Sequence, residues 1–143
     1  MAGALDDEWL LRVDGAARGN PGEAGCSAVI FAADGNVVKE LSRYLGRATN
    51  NVAEYQGLLM GLEALLQMGA KKIQIQSDSQ LLVRQLNGEY RVKDEKLKVL
   101  FSRAMELLRQ FDSYRINHVY RDANKLADRL AYRAIDQVLQ QAG

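Results

Sequence analysis

The chain has 143 residues, 48% hydrophobic and 26% charged, a balance that suits one folded domain burying roughly two thirds of its unfolded surface and excludes a disordered chain. Its one cysteine, Cys26, excludes a disulfide framework or a thiolate zinc site, no apolar run reaches the ~20 residues of a membrane span, and the acidic opening 1–8 lacks the features of a secretory signal, so a cytosolic protein is expected. The net charge of +1 conceals an asymmetry: residues 1–70 carry five Lys/Arg against nine Asp/Glu and residues 71–143 carry fourteen against nine, which either a polyanion-binding face or a set of solvated amphipathic helices would produce.

In chain order, residues 9–14 alternate Trp9, Leu11 and Val13 against Leu10, Arg12 and Asp14, predicting a strand that ends at Gly15. The nearly all-apolar run 25–33 predicts a second strand, with Cys26 as one of its buried residues. Asp34-Gly35 marks a tight turn, so 36–46 should return as a third, antiparallel strand. Between 52 and 68, Val52, Tyr55, Leu59, Leu62 and Leu66 recur at helical spacing, with Thr49 or Asn50 to cap the start and Gly69 to end it. Residues 72–77 alternate again as a strand, and a short helix over 79–87 stops at Gly88. Apolar positions from Leu97 to Phe111 mark a longer helix, 114–120 a last strand, and 122 to about 140 a last helix. The order β-β-β-α-β-α-α-β-α predicts an α/β fold, a mixed sheet flanked by helices. It should form a single domain over 9–140 after a short tail, 1–8.

Asp14 and Asp78 occupy comparable places, each ending a predicted strand, each opposite in parity to its strand's main apolar residues, and each followed by a small residue. If those strands are parallel neighbours, the two carboxylates meet at the sheet edge where open α/β folds place ligands. Carboxylates held close repel one another unless a cation lies between them, and hard oxygen ligands suit Mg²⁺ working on a phosphate. The plainer alternative is that each Asp caps the element that follows it. The glycines at 15, 19, 22 and 25 fit neither the dinucleotide fingerprint nor the phosphate-binding loop. With one histidine, His118, inside the last predicted strand, serine or cysteine nucleophilic catalysis is not expected.

Four segments then carry a resemblance: Val13-Asp14-Gly15 with Gly19-Asn20-Pro21-Gly22, Thr49 to Glu54, Ser77 to Gln80, and Asn124 to Asp128. In this order, over about residues 9–138, the chain resembles type 1 ribonuclease H. The resemblance implies a ribonuclease H-like fold with a five-stranded mixed sheet. It also implies an endonuclease that cleaves the RNA strand of an RNA–DNA hybrid with two Mg²⁺ ions, Mn²⁺ being a possible substitute, leaving 5′-phosphate and 3′-hydroxyl ends. By the same resemblance Asp14 would bridge the two ions, Asp128 would complete the one that activates water, and Glu54 and Asp78 would hold the one on the leaving side. Asn50, Gln80 and the backbone at Gly19 would contact the RNA strand and its 2′-hydroxyls, and Thr49 and Asn51 a DNA phosphate.

The chain departs from the family pattern in two places. Only Arg121, Asp122 and Ala123 separate Tyr120 from Asn124, where many bacterial members carry a longer loop with a histidine. His118 therefore does not automatically inherit that role, and Arg121 is the candidate for assisting near the leaving group or in product release. Around 88–97, where some relatives insert a basic helix, Arg91, Lys93, Lys96 and Lys98 are mixed with Glu89, Asp94 and Glu95, so a looser grip on the hybrid is expected. The protein is taken as monomeric.

Overall fold

In the computed structural model, residues 7–142 are described, and the strand predicted from the Leu11–Val13 alternation opens the fold as β1 (Glu8–Gly19). Most of the expected tail, residues 1–6, lies outside the described residues, and Glu8 already belongs to the strand. β1 does not stop at Gly15: it continues through Ala16, Ala17 and Arg18 and turns over Asn20-Pro21 into β2 (Gly22–Phe31), with Gly19 opposite Gly22. The start of this extension, Gly15 to Ala17, is built from small residues, which hide the alternation a strand normally displays, because α-helices pack against Gly15 on one face and Ala16 on the other. β2 turns at Asp34-Gly35 into β3 (Val37–Ala48), where the Asp34 carboxylate accepts the Asn36 N–H at 2.9 Å. The second strand is displaced from the expected 25–33 because Ala32 and Ala33 belong to this turn.

α1 (Asn50–Gln67) is capped by Thr49, whose Oγ1 accepts the Val52 N–H at 3.2 Å. It is followed by β4 (Lys72–Ser77), α2 (Gln80–Leu86) with Ser79 as its cap, α3 (Glu95–Leu108) capped by Asp94, and β5 (Ser113–His118). Residues 87–94 form no helix, so there is no basic insert between α2 and α3. β5 is shorter than the expected 114–120 because its parallel pairing with β4 ends where β4 ends, at Ser77 opposite His118. The last helix also starts later than expected: a 3-10 turn, Arg121–Asn124, precedes α4 (Lys125–Ala142).

The sheet order is β3-β2-β1-β4-β5, antiparallel over β1 to β3 and parallel from β1 through β4 to β5. Leu11, Val13, Ile73 and Ile75 point to one face and are fully buried with Tyr55, Leu58 and Leu62 under α1 and α3. Ala16, Val29, Ala127, Leu130, Ala131 and Ile135 form the thinner layer between the opposite face and α4.

α1 is buried on more sides than the five periodic residues imply, since Ala53, Gly57, Leu58, Gly61 and Leu65 are buried as well. The reason is proximity to β1. A Cβ at Gly15 would lie 2.2 Å from the Glu54 backbone nitrogen, and one at Gly57 would lie 2.8 Å from the Asp14 carbonyl oxygen. Helix and strand therefore touch backbone to backbone at the level of Asp14 and Glu54. Gly15→Ala is expected to lower stability by about 3 kcal/mol, because the obstructing atoms are backbone and cannot rotate away. Urea unfolding would register this as a lower midpoint with an unchanged slope.

Candidate metal centre

The parallel pairing of β1 with β4 ends at Val13 opposite Ser77, so the next residues, Asp14, still paired with Ser27 of β2, and Asp78, lie side by side just past the end of that ladder. Asp14 lies in the middle of β1 and not at its end, which corrects the sequence-based placement. The local logic survives because it is the end of the parallel ladder that opens the site. The glycine contacts just described bring Glu54, in the second turn of α1, beside Asp14. Oxygens of Asp14, Glu54 and Asp78 all lie within 4.8 Å of one another. Asp128, in the first turn of α4, is within hydrogen-bonding reach of Asp14. All four line one cavity of about 580 Å³.

Two polar side chains hold the start of α4 in place: Asn124, the first residue of the last matching segment, and Ser27, which the sequence did not single out. Asn124 Nδ2 donates to the Val13 carbonyl at 2.9 Å, and Ser27 Oγ on β2 donates to the Ala127 carbonyl. Each tether ends next to a carboxylate: Val13 precedes Asp14, and Ala127 precedes Asp128. A serine inside the apolar run of β2 was the available signal for one of them.

Burial and crowding raise the carboxyl pKa values. Asp14, only 3% exposed, is pushed up to about 8, first by burial, then by its hydrogen bond with Asp128 and the charges of Asp78 and Asp128; the Gly15 N–H, donating at 2.9 Å, partly opposes this. Glu54 is held well above its usual range by burial and then by the charges of Asp14 and Asp78. Asp78, half-buried, is raised by burial, against which Arg121 and His118 act to lower it. Asp14 Oδ2 and Glu54 Oε2 are buried with no hydrogen-bond donor. Buried carboxylate oxygens without donors, in a group whose oxygens lie within 4.8 Å of one another, fit a hard divalent cation, which would take the place of the missing donors and relieve the repulsion. The cap reading of the acidic residues fails for Asp78, since Ser79 and not Asp78 caps α2.

The other predicted positions divide between two cavities. Asn50, Asn51, Gln80 and Arg121 line the carboxylate cavity. His118, the last residue of β5, lines it too, so it is a strand residue that faces the site instead of the sheet interior. Thr49 and Asn51 line a neighbouring cavity of about 860 Å³ with Asn20, Pro21 and Arg47. Gly19 borders neither, but the next residue of its turn, Asn20, accepts the Asn50 N–H through Oδ1 at 3.1 Å, tying that turn to the start of α1.

The reverse transcriptase-like family matches residues 12–134. The ribonuclease HI of Halobacterium salinarum is 46% identical over 86% of this chain and 62% of its own length. The N-terminal ribonuclease H domain of Rv2228c from Mycobacterium tuberculosis superposes with a TM-score of 0.92 at 41% identity, covering 96% of this chain and 100% of that one. LC11-RNase H1, solved in complex with an RNA/DNA hybrid, superposes with a TM-score of 0.88 at 38% identity over 92% of this chain and 99% of its own. The chain spans 37% of the full Rv2228c protein and 62% of the Halobacterium enzyme, in each case less than two thirds of the curated relative.

Proposed function

The chain belongs to the type 1 ribonuclease H family, and from that premise we propose that it is an endonuclease that hydrolyses the RNA strand of RNA–DNA hybrids. The observation that carries the reading is the convergence of Asp14, Glu54, Asp78 and Asp128 in one cavity, with two buried carboxylate oxygens left unpartnered. Asp14, Glu54, Asp78 and Asp128 would hold the divalent ions of a two-metal site, Mg²⁺ with Mn²⁺ as a substitute, Asp14 and Asp128 serving the attacking side and Glu54 and Asp78 the leaving side. When bound, the ions would supply Lewis-acid stabilisation of the attacking and leaving oxygens of an in-line displacement, giving 5′-phosphate and 3′-hydroxyl ends.

The protein's own groups set position and selectivity. Asn50 and Gln80, which line the carboxylate cavity, and the Gly19 backbone would contact the RNA strand and the 2′-hydroxyls that separate RNA from DNA. Thr49 and Asn51, lining the adjacent cavity, would hold a phosphate of the DNA strand. Arg121, whose charge already lowers the Asp78 pKa, would favour the ionised, metal-holding carboxylate and the anionic leaving group. The proposal takes 9–140 as one catalytic domain acting as a monomer in the cytoplasm, and among the described residues no helix is long and apolar enough to cross a membrane.

The test is incubation of end-labelled RNA–DNA hybrid, RNA duplex and DNA duplex with the protein, in Mg²⁺ and in chelator. Cleavage confined to the RNA strand of the hybrid and abolished by chelator is expected. Equal cutting of DNA duplex would assign the carboxylates to a different nuclease chemistry.

A further inference from the structure

The outer side of α4 carries Lys125, Arg129 and Arg133, all exposed and four residues apart. Four residues advance a helix by about 6 Å and return nearly to the same side, so the three cations form a row that begins at the turn holding Asp128. None of them has an ion pair among the described residues, whereas Arg103 faces Glu63 and Glu106 and Arg115 faces Glu8. The one carboxylate of α4 outside the catalytic cavity, Asp136, is engaged by Arg18 at 2.7 Å. The Arg18 guanidinium also lies over the Tyr132 ring, 5.0 Å from its centroid.

Tyr132 is the junction. It lines the carboxylate cavity and also a groove of about 460 Å³ on α4 that contains Arg129 and Arg133. A strand with one phosphate at the carboxylates can therefore continue over Tyr132 into the groove. Resting on the proposed hybrid cleavage, we propose that this row is a second binding track, which takes the phosphodiester backbone of a nucleic-acid strand extending beyond the scissile bond. The ~6 Å spacing of the cations matches about two phosphates of a strand that rises 3.4 Å per nucleotide along a duplex axis. Arginine forks suit phosphate oxygens, and Arg18, held over the Tyr132 ring, adds a further cation where the cavity meets the groove. An anionic lipid surface is the poorer fit, because no large exposed hydrophobic residue lies between Lys125 and Arg133 to enter it.

The test compares the wild type with the Arg129→Gln/Arg133→Gln double variant and with Arg103→Gln/Arg109→Gln. The second pair removes the same charge from the α3 region, on the other face of the sheet. Fluorescence anisotropy in Ca²⁺ would follow binding to labelled hybrids of about 8 and about 20 base pairs. For the long hybrid, the α4 variant should raise Kd roughly tenfold and make the fall of log affinity with log salt shallower by about 2. The short hybrid should bind within about twofold of wild type, its kcat should not change, and Arg129→Lys/Arg133→Lys should keep most of the long-hybrid affinity. Equal losses on both lengths, no loss on the long hybrid, or the same loss in the α3 control would overturn the track. So would loss of binding to phosphatidylserine vesicles with hybrid binding intact. A wild type that bound in this length-dependent way but never cut would remove the cleavage reading and leave the track standing.

Discussion

Asp14→Asn is expected to abolish Mg²⁺-dependent cleavage of an RNA–DNA hybrid, by about 10³-fold or more in kcat, equivalent to ~4 kcal/mol of lost transition-state stabilisation. Asp14 is the carboxylate in contact with most of the others: it lies beside Glu54 and Asp78 and within hydrogen-bonding reach of Asp128. An amide there keeps an oxygen to accept the Gly15 N–H but loses the charge that a divalent-cation ligand needs. The substitution changes no packing volume, so the far-ultraviolet circular dichroism and the melting transition should persist. Single-turnover cleavage on labelled hybrid reads the effect, and near-normal turnover would remove Asp14 from the metal site.

Without divalent cations, the protein is expected to lose stability as pH rises from about 4 to about 8. The folded-state pKa of Asp14 is raised from 3.8 to about 8. Within that window the folded protein keeps a proton that the unfolded chain has released. The slope of unfolding free energy with pH follows unfolded minus folded bound protons, so it is negative there. The contribution is full below the unfolded pKa and is lost as pH passes the folded one. At ~1.4 kcal/mol per unit, the shift bounds the Asp14 contribution at about 6 kcal/mol, and because Asp14 titrates together with its neighbouring carboxylates, a net loss of ~3 kcal/mol, or about 10 °C in Tm, is the expected size. Mg²⁺ should restore most of that Tm at pH 8 and little at pH 5, because a cation that binds only the folded state stabilises it by mass action. Asp78→Asn should raise the metal-free Tm at pH 8 by removing one like charge from the group. Scanning calorimetry in chelator from pH 5 to 8 is the measurement, and a metal-free Tm that climbs over this range would contradict the crowded-carboxylate account.

These effects trace to features of unequal visibility in the chain. Asp14 and Asp78 stood out because strand alternation has a period of two, so a carboxylate off the apolar parity at a strand's end is visible from neighbours one or two residues away. Thr49 as a cap, the Asp34-Gly35 turn and the early-turn position of Asp128 are equally local. The continuation of β1 to Gly19 was not visible, because Gly15 and Ala16 are small to admit α1 on one side and α4 on the other, and smallness erases alternation.

Local spacing thus determined the strand and helix order, the caps, and which acidic residues stand off the apolar face near the end of the β1–β4 ladder. Folding in three dimensions decided the distances: the backbone contact at Gly15 and Gly57 that buries Glu54 against Asp14, the Asn124 and Ser27 tethers that deliver Asp128, and the turning of His118 toward the cavity. It also decided that Tyr132 joins the cavity to the cation row of α4. Periodicity reports only how a segment meets its own neighbours, whereas a close approach or a raised pKa depends on atoms supplied by a distant part of the chain, which no local pattern records.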